Sequence, residues 1–449
     1  MKDLTKGNIL KVVLLFALPI IASSVMQSLY NMGDSAIVSN LIGEKALAAV
    51  GATGVIINTL ISFINGGTQG YAIPIARFFG ARDFKSLRRS IAGAIWLTLI
   101  MIVILTGTFL ILAPSILRAL NTPEEIMPLA LIYIRINIAG LVFTAIYNFC
   151  TNTLRAIGDS KTPLYFLLIG IALNILLDIL LIGPFHMGIA GAAFATIFSQ
   201  LVAGGLSLIY MLRKYHELMP KGQDFKVGSQ LYSELLTTGL AMSFMGCIVN
   251  IGTIILQSGI NTLDTTIIAA HTAARRVFEI MSACEYTVGI AMTTFVSQNL
   301  GAGKIDRIRK GVRQTIIFTL CETLVLIVFV FLAGRLLIHL ITGSDSPVLL
   351  DAATMYVRIS IVNFFWLGPL FILRCTMQGL GHKIIPLFTS AIEMITKIVS
   401  VIILTPALQY LGIAITEPIS WFLCTLLIGS FYLTHKPTKE DAPATYARA

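Results

Sequence analysis

The stretch that decides the fold is residues 80–89, GARDFKSLRR, because its pattern returns 221 positions later at residues 301–310, GAGKIDRIRK. A second landmark, YIRI at residues 133–136, returns 223 positions later as YVRI at residues 356–359. Landmarks that recur in one order at a nearly constant spacing indicate two homologous halves, which join here near residue 220. Duplicated halves in an apolar chain are typical of a transporter.

The composition indicates a membrane protein. Of the 449 residues, 56% are hydrophobic and only 12% are charged, whereas soluble domains carry about 25% charged residues. Apolar runs of about twenty residues are long enough to cross a hydrocarbon core of about 30 Å. They lie near residues 10–33, 46–73, 91–113, 127–150, 163–183, 188–212, 233–258, 265–296, 312–340, 350–376, 385–405 and 411–433. We therefore predict an all-α polytopic membrane protein with twelve transmembrane helices.

The number of helices per half sets the relation between the halves. Six is even, so both halves enter the membrane from the same side and the repeats are parallel. Of the basic residues near helix ends, only Lys45, Arg118 and Arg335 fall on the side opposite the N-terminus. Because basic loops stay inside, we expect both termini to be cytoplasmic and the chain to lie in the cell membrane. The net charge of +10 then faces anionic lipid headgroups, not nucleic acid.

These features predict four segments. They are an N-terminal lobe at residues 1–214, a cytoplasmic linker at 215–230, a C-terminal lobe at 231–434 and a cytoplasmic tail at 435–449. The first apolar run is too long for a cleavable signal peptide and lacks a small-residue cleavage site.

The sequence does not favour an enzyme. It contains no GxxxxGK[ST] phosphate loop, and His216-Glu217 lacks the second histidine of a zinc motif. The six cysteines are scattered in apolar runs, so we interpret them as buried hydrophobic residues and not as disulfides or metal ligands. We expect no cofactor.

The first predicted helix has a polar face. Ser24, Gln27, Asn31 and Asp34 are spaced three or four apart and share one side of the helix. An ionisable group in a spanning helix usually faces a cavity and carries function. Upstream, Pro19 removes a backbone hydrogen bond and is expected to kink the helix. The alternative is that Asp34 sits at the outer end of the helix in water.

The fifth predicted helix places Asn174 and Asp178 on one face of an apolar segment. If Asp178 and Asp34 converge, the two carboxylates must take up a proton or share a cation. The Asn174/Asp178 pair could instead be a helix-packing hydrogen bond. Thr196 and Gln200, on one face of the sixth helix, offer further oxygen ligands unless each bonds its own backbone.

The second half is polar in a different way. We expect Glu393 with Lys397, and Arg275 with Glu279, to form self-contained i,i+4 pairs. Glu322 has no evident local partner. The residues whose roles the sequence leaves open are Glu279, Glu285, Glu322, Glu393 and Lys397. No acid corresponds to Asp34, so we expect the clearest carboxylate cluster in the first half alone.

These features together resemble the multidrug and toxic compound extrusion (MATE) transporters. The resemblance covers essentially the whole chain and rests on twelve helices, the parallel repeat, the paired loops at Gly80 and Gly301, and residues 154–159, LRAIGD. It implies a V-shaped pair of six-helix lobes that exports organic cations and other drugs in exchange for protons or sodium ions.

The chain resembles most the damage-inducible (DinF-like) branch, which places its ion site in the N-terminal lobe. The resemblance implies H⁺ or Na⁺ binding at Asp34, Asn174, Asp178 and Thr196, a hinge at Pro19, and a substrate cavity at Gln27, Tyr30, Asn31, Asn148 and Gln200. The other bacterial branch carries acids in the C-terminal lobe. This chain has Cys247 at one such position and no interior acid from Met355 to Gln378, so we expect no sodium site of that type.

The prediction is therefore a monomeric, cation-coupled antiporter for small organic substrates, surrounded by membrane lipids. One alternative is a lipid-linked oligosaccharide flippase of the same superfamily, which would need a basic cavity for pyrophosphate. Interior arginines that keep this alternative open are Arg135, Arg275, Arg276 and Arg358. An intramembrane enzyme or a structural membrane protein is the other class.

Overall fold

The structure is a computed structural model that describes residues 3–438, without the side chains of Met32, Ser35 and Ala36. Of the predicted tail at 435–449, residues 439–449 lie outside the described residues. Every regular element of the described chain is helical. The α-helices are α1 (Ile9–Ile42), α2 (Glu44–Ala81), α3 (Phe84–Ala119), α4 (Met127–Ala139), α5 (Leu141–Ala156), α6 (Lys161–Ile182), α7 (Gly188–Lys214), α8 (Ser229–Ile260), α9 (Thr265–Gly301), α10 (Ile305–Thr342), α11 (Pro347–Val362), α12 (Phe364–Gly379), α13 (Ile384–Leu408) and α14 (Tyr410–Thr434). Two short 3₁₀ turns, His216–Leu218 and Gly222–Phe225, lie in the central linker.

The repeated loop ends one helix and starts the next in both halves. α2 ends at Ala81, and Arg82 adopts a left-handed conformation with φ of 57°. Asp83 then caps α3 by accepting a hydrogen bond from the backbone N–H of Ser86 at 3.0 Å. In the second copy, Gly303 has a φ of 67° between α9 and α10. The same chain reversal therefore occurs 221 residues later.

Left-handed residues follow the repeat along the rest of the chain. Asn121 (φ 55°) corresponds to Gly343 (φ 61°), at an offset of 222. His186 (φ 52°) corresponds to Gln409 (φ 50°), at an offset of 223. Because residues other than glycine seldom adopt this conformation, its recurrence confirms the repeat in the backbone itself.

The fourth helix of each half, which the sequence predicted as one continuous apolar run, is broken by a bend. α4 and α5 meet at 44°, and α11 and α12 meet at 50°. At the first bend a Cβ on Gly140 would overlap the side chain of Ile197, so the glycine permits close packing of α7. At the second bend the amide of Asn363 donates to the carbonyl of Ile359 at 2.8 Å.

The twelve-helix fold is confirmed. Nine helices of the described chain are long and apolar enough to cross a membrane, and each bent pair adds one, which makes eleven. The twelfth is α9, which has 37 residues but carries four charged side chains, namely Arg275, Arg276, Glu279 and Glu285.

The chain divides into two compact units by contact. The first unit comprises Leu18–Gly246, and the second comprises Leu4–Ala17 together with the chain from Cys247 onward. The boundaries therefore fall inside α1 and α8, whereas the predicted lobes began at residues 1 and 231.

Small residues allow the first parts of α8 and α1 to pack closely against the other helices of their units. In the first unit, a Cβ on Gly70 of α2 would lie 2.7 Å from the Cα of Gly239 on α8. In the second unit, a Cβ on Gly311 would lie 3.4 Å from a side-chain carbon of Ile9 on α1. The first part of α8 therefore packs in the first unit, and the first part of α1 packs in the second unit. The later part of each helix belongs to the other unit.

Candidate ion-binding site in the first unit

Three helices of the first unit bring four predicted site residues together. α1 supplies Asp34, α6 supplies Asn174 and Asp178, and α7 supplies Thr196. Asn174 is 1% exposed and Asp178 is fully buried. The spacing of four residues places both α6 side chains on the face that packs against the unit.

Asn174 orders the site through three hydrogen bonds. With its amide oriented to satisfy its neighbours, the nitrogen donates to Asp178 Oδ2 at 2.8 Å and to the Tyr30 hydroxyl at 3.2 Å. The amide oxygen accepts from the backbone N–H of Thr196 at 3.1 Å. One side chain thus links all three helices.

The carboxyl groups of Asp34 and Asp178 are in hydrogen-bonding contact. Their Oδ1 atoms are buried and have no hydrogen-bond partner. Two ionised carboxylates are both acceptors, so such a contact needs a proton or a bridging cation between them. The two carboxyl groups can therefore share H⁺, and their unpartnered oxygens can bind a small cation such as Na⁺.

Thr196 contributes less than the sequence suggested. Its hydroxyl donates to the carbonyl of Ala192 at 3.1 Å, as the self-satisfied alternative requires. The same hydroxyl is in hydrogen-bonding contact with Tyr30. Thr196 thereby reaches the site through Tyr30 and through its own backbone N–H.

Tyr133 is a neighbour of the site that the sequence analysis did not assign. It is 8% exposed and acts electrostatically on both Asp34 and Asp178. Asn137, one turn later, donates to the Tyr133 carbonyl at 2.9 Å. The sequence does mark Tyr133 in one way, since it belongs to the repeated YIRI motif at residues 133–136.

A small cavity lies beside Tyr30 and Asn174. It is lined by Gln27, Tyr30, Tyr147, Asn174, Ser199 and Gln200, with apolar residues of α6 and α7. The centre of a water-sized sphere can move through about 20 Å³ of this cavity. That space holds one water or small ion and is too small for a drug. The Oε1 atom of Gln200 is buried without a partner and can serve as a further ligand.

Two residues assigned to the substrate cavity do not line this small one. Asn31 is exposed and accepts a hydrogen bond from Gln27 at 3.3 Å. Asn148 donates to the carbonyl of Thr144, one turn earlier in its own helix, at 2.9 Å.

Pro19 lies beside the point at which α1 changes unit. The residues up to Ala17 belong to the second unit and those from Leu18 to the first. The Ser23 hydroxyl donates to the Pro19 carbonyl at 2.9 Å, and α1 continues past the proline to Ile42. A proline weakens the helix by one backbone hydrogen bond at this boundary.

The polar residues of the second unit form a buried chain of ion pairs. Glu417 lies 2.9 Å from Arg275 and 3.5 Å from Lys397. Glu393 lies 3.2 Å from Lys397 and 3.0 Å from Arg374. The self-contained pairs predicted from the sequence are therefore wrong in part, since each cation has a partner on another helix.

Arg275 shows the difference most clearly. Its predicted partner Glu279 is exposed and lies 4.0 Å away, whereas Glu417 is 5% exposed and makes the close contact. Tyr356 also donates to Glu417, at 3.0 Å. Glu417 could not be identified from sequence spacing, because it follows Arg275 by 142 residues and has no charged neighbour in its own helix.

The four arginines that kept the flippase alternative open have different surroundings from one another. Arg135 and Arg276 are exposed. Arg275 is paired with Glu417, and the guanidinium of Arg358 lies 5.0 Å from the ring of Phe331. No group of three or more His, Cys, Asp or Glu residues in the described chain could hold a metal ion.

Comparison with known proteins agrees with the duplicated architecture. The MatE family model matches the chain twice, over residues 19–180 and 241–403. The probable multidrug resistance protein YpnP of Bacillus subtilis is 30% identical over 386 residues, which are 84% of this chain and 84% of that protein. YoeA of the same organism, also called a probable multidrug resistance protein, is 26% identical over 95% of this chain and 94% of its own.

A solved structure shares the fold. The crystal structure of MATE in complex with MaL6 superposes with a TM-score of 0.88 at 24% identity. The superposition covers 97% of this chain and 99% of that one.

Proposed function

The chain belongs to the MatE family, and from that membership we propose that it is a secondary antiporter that exports small organic molecules in exchange for H⁺ or Na⁺. Its relatives YpnP and YoeA carry the name of multidrug resistance proteins. Drug extrusion across the cell membrane is the activity that this kinship supports.

One observation carries the coupling proposal. Asp34 and Asp178 meet in the first unit with a buried, unpartnered oxygen on each. A buried charge without a partner raises the free energy of the protein, so this pair would hold a proton or a cation when it is buried as in this structure. Asp34, Asn174 and Asp178 would bind the ion, with Tyr30, Thr196 and Gln200 supporting it.

Pro19 gives the site a means to move. A proton or Na⁺ at Asp34 changes the charge of α1 on the far side of this proline. Because the helix is weakened there, we propose that α1 shifts about Pro19 as the ion binds and leaves. Coupling requires that ion and substrate prefer different states of the protein.

The remaining predictions belong to the same proposal. The carboxyl pair lies in the first unit, which is the pattern of the DinF-like branch. We further propose a monomer in the cell membrane with both termini in the cytoplasm, on the basis of the basic loops.

Dye efflux tests the proposed activity. Inverted vesicles that contain the protein are given a fluorescent organic cation in the external medium, which faces the cytoplasmic side of the protein, and are energised either by a proton gradient or by a sodium gradient. The proposal expects one of the two gradients to drive dye movement well above that of vesicles without the protein. Equal dye movement in both kinds of vesicle, under both gradients, would contradict it.

A further inference from the structure

The N-terminal segment, residues 4–7, is bound to the second unit through its main chain. Each of its four carbonyl oxygens accepts a hydrogen bond from a side chain at the end of α9 or the start of α10. Chain termini are usually poorly ordered unless other parts of the protein hold them. A segment that is bound at four successive carbonyls is therefore held by a specific set of donors.

Two side chains supply the charged donors. The ammonium of Lys304 donates to the carbonyl of Thr5 at 2.8 Å. The guanidinium of Arg307 donates to the other three carbonyls, at 3.2 Å, 2.8 Å and 2.7 Å from those of Leu4, Lys6 and Gly7. The planar guanidinium has five N–H donors, so one arginine can bind several carbonyls at once. Because the donors are charged, these hydrogen bonds are stronger than those between neutral groups.

Two buried amides hold the first residue of the segment. The backbone N–H of Leu4 donates to Gln298 Oε1 at 3.2 Å, and its carbonyl accepts from Asn299 Nδ2 at 3.2 Å. Leu4, Gln298 and Asn299 are all fully buried. The side chain of Leu4 is therefore packed inside the second unit, and its backbone polar groups are satisfied there.

The bound segment leads directly into α1. Gly7 has a φ of 76°, a left-handed conformation that glycine adopts without steric strain. The side chain of Asn8 then caps α1 by accepting a hydrogen bond from the backbone N–H of Lys11 at 3.2 Å. Because a capped helix begins one residue after the bound segment ends, the donors that hold the segment also hold the start of α1.

The two cations lie where the start of a helix favours other residues. Lys304 is the N-cap residue of α10, and its side chain makes no capping hydrogen bond. Arg307 lies in the first turn of α10, where the helix dipole favours acidic groups. In the first repeat, 221 positions earlier, the same places are occupied by Asp83 and Ser86, which form the cap of α3. The second repeat therefore lacks a helix cap at the two positions that bind residues 4–7.

We propose that Lys304 and Arg307 are positioning residues for transport, which hold residues 4–7 and so keep the first part of α1 in the second unit while the part beyond Pro19 shifts. The inference rests on the proposed antiport and on the proposed shift of α1. A bending helix transmits its movement only when its other end is held. Ion binding at Asp34 does not need the bound segment, whereas the coupling of ion binding to transport does.

Hydrogen–deuterium exchange of the purified full chain tests whether the two cations hold the segment. In K304M/R307M, methionine keeps a long apolar side chain but removes the charged donors. Loss of a hydrogen bond to a charged group changes an equilibrium by about tenfold or more, so peptides from residues 4–12 should exchange at least about tenfold faster than in the wild type. The matched control R313M changes an exposed arginine of the same helix and should exchange like the wild type. Equal exchange in K304M/R307M and the wild type would overturn the proposal.

Gradient-driven dye transport tests whether holding the segment matters for coupling. We expect the maximal rate per folded protein to fall by a similar factor in K304M/R307M, while the ion concentration for half-maximal transport stays at the wild-type value. A merely structural role would reduce the amount of folded protein and not the rate of each folded molecule. Unchanged transport by the variant, beside an active wild type, would overturn the positioning role. A wild type that transports under neither gradient would refute the antiport and this role together.

Single substitutions keep the test decisive if the double variant does not fold. R307M removes the donors to three carbonyls and K304M removes the donor to one, so R307M should have the larger effect on both exchange and rate. R307K keeps the charge but not the planar guanidinium, so it should lie between R307M and the wild type. A larger effect of K304M than of R307M would contradict the proposal.

Discussion

Asn174 and Lys397 occupy the same position in the two repeats, 223 residues apart, and carry out opposite electrostatic tasks. The amide of Asn174 donates to Asp178 and leaves the carboxyl pair of the first unit without a cation of its own. The ammonium of Lys397 lies within 3.5 Å of both Glu393 and Glu417 and supplies a permanent cation. The offset continues from Tyr133 and Tyr356, which stand beside the two clusters. The carboxyl pair of the first repeat therefore lacks the cation that a lysine side chain supplies in the second.

Substitution N174L should weaken ion coupling. Leucine has a similar size but removes the donors to Asp178 and Tyr30. A hydrogen bond to a charged group contributes about 1.5–3 kcal/mol, so we expect the ion concentration for half-maximal efflux to rise about tenfold or more. The exposed control Q257L should leave this midpoint unchanged. An unchanged midpoint in N174L would mean that Asn174 does not order the ion site.

Substitution E417Q should strongly destabilise the second unit. It leaves Arg275 and Lys397 without a shared anion, and breaking a buried ion pair costs about 3–5 kcal/mol. The control E279Q removes an exposed carboxylate 4.0 Å from the same arginine and should cost less than about 1 kcal/mol. Thermal unfolding of the purified variants measures both effects. Similar melting temperatures for the two variants would contradict a network centred on Glu417.

Substitution G70A should destabilise the first unit, whereas G54A in the same helix should not. A Cβ at position 70 would meet backbone atoms of Thr238 and Gly239 at 2.7 Å, but a Cβ at position 54 meets nothing within 4 Å. Overpacking costs about 1–3 kcal/mol, while alanine favours an open helical position by about 1 kcal/mol. Thermal unfolding again gives the comparison. A G70A protein as stable as G54A would show that α2 and α8 do not approach so closely.

Asp159, in the loop between α5 and α6, should stabilise the protein except in acid. Burial alone would raise the pKa of its carboxyl, but hydrogen bonds from Thr162, Tyr215 and Tyr210 lower that pKa below its ordinary value. The resulting stability is present above the unfolded pKa of about 3.9 and is lost as pH falls through the lower folded pKa.

The matching measurement compares melting temperatures of the wild type and D159N as a function of pH. The wild type should melt higher near neutral pH, and the difference should shrink toward pH about 3. Y215F removes one donor and keeps the charge, so its deficit should be smaller than that of D159N. A difference that grows in acid would have the wrong sign for this account.

The sequence predicted the helices well because their length and the repeat depend on local composition. The bends at Gly140 and Asn363 were missed, since the first reflects the approach of Ile197 from a distant helix. The polar stripe of α1 and the pair on α6 pointed to one site, and the structure brings Asp34, Asn174 and Asp178 together. Periodicity shows which face a residue shares but not which helix meets it.

The second unit illustrates the same limit. Glu279 lies four residues from Arg275 and was the natural partner, yet the buried contact comes from Glu417. Such pairings over long sequence separations depend on tertiary packing.

Gradient-driven efflux by D34N is the most direct test of the central claim. The asparagine keeps the size of the side chain but cannot bind a proton or share a cation with Asp178 as a carboxylate does. The account predicts that D34N reaches the membrane at the wild-type level and unfolds at a similar temperature, yet loses dye efflux under the gradient that drives the wild type. The control D345N changes an exposed acid and should transport normally. Efflux by D34N at the wild-type rate would contradict the assignment of Asp34 and Asp178 as the coupling site.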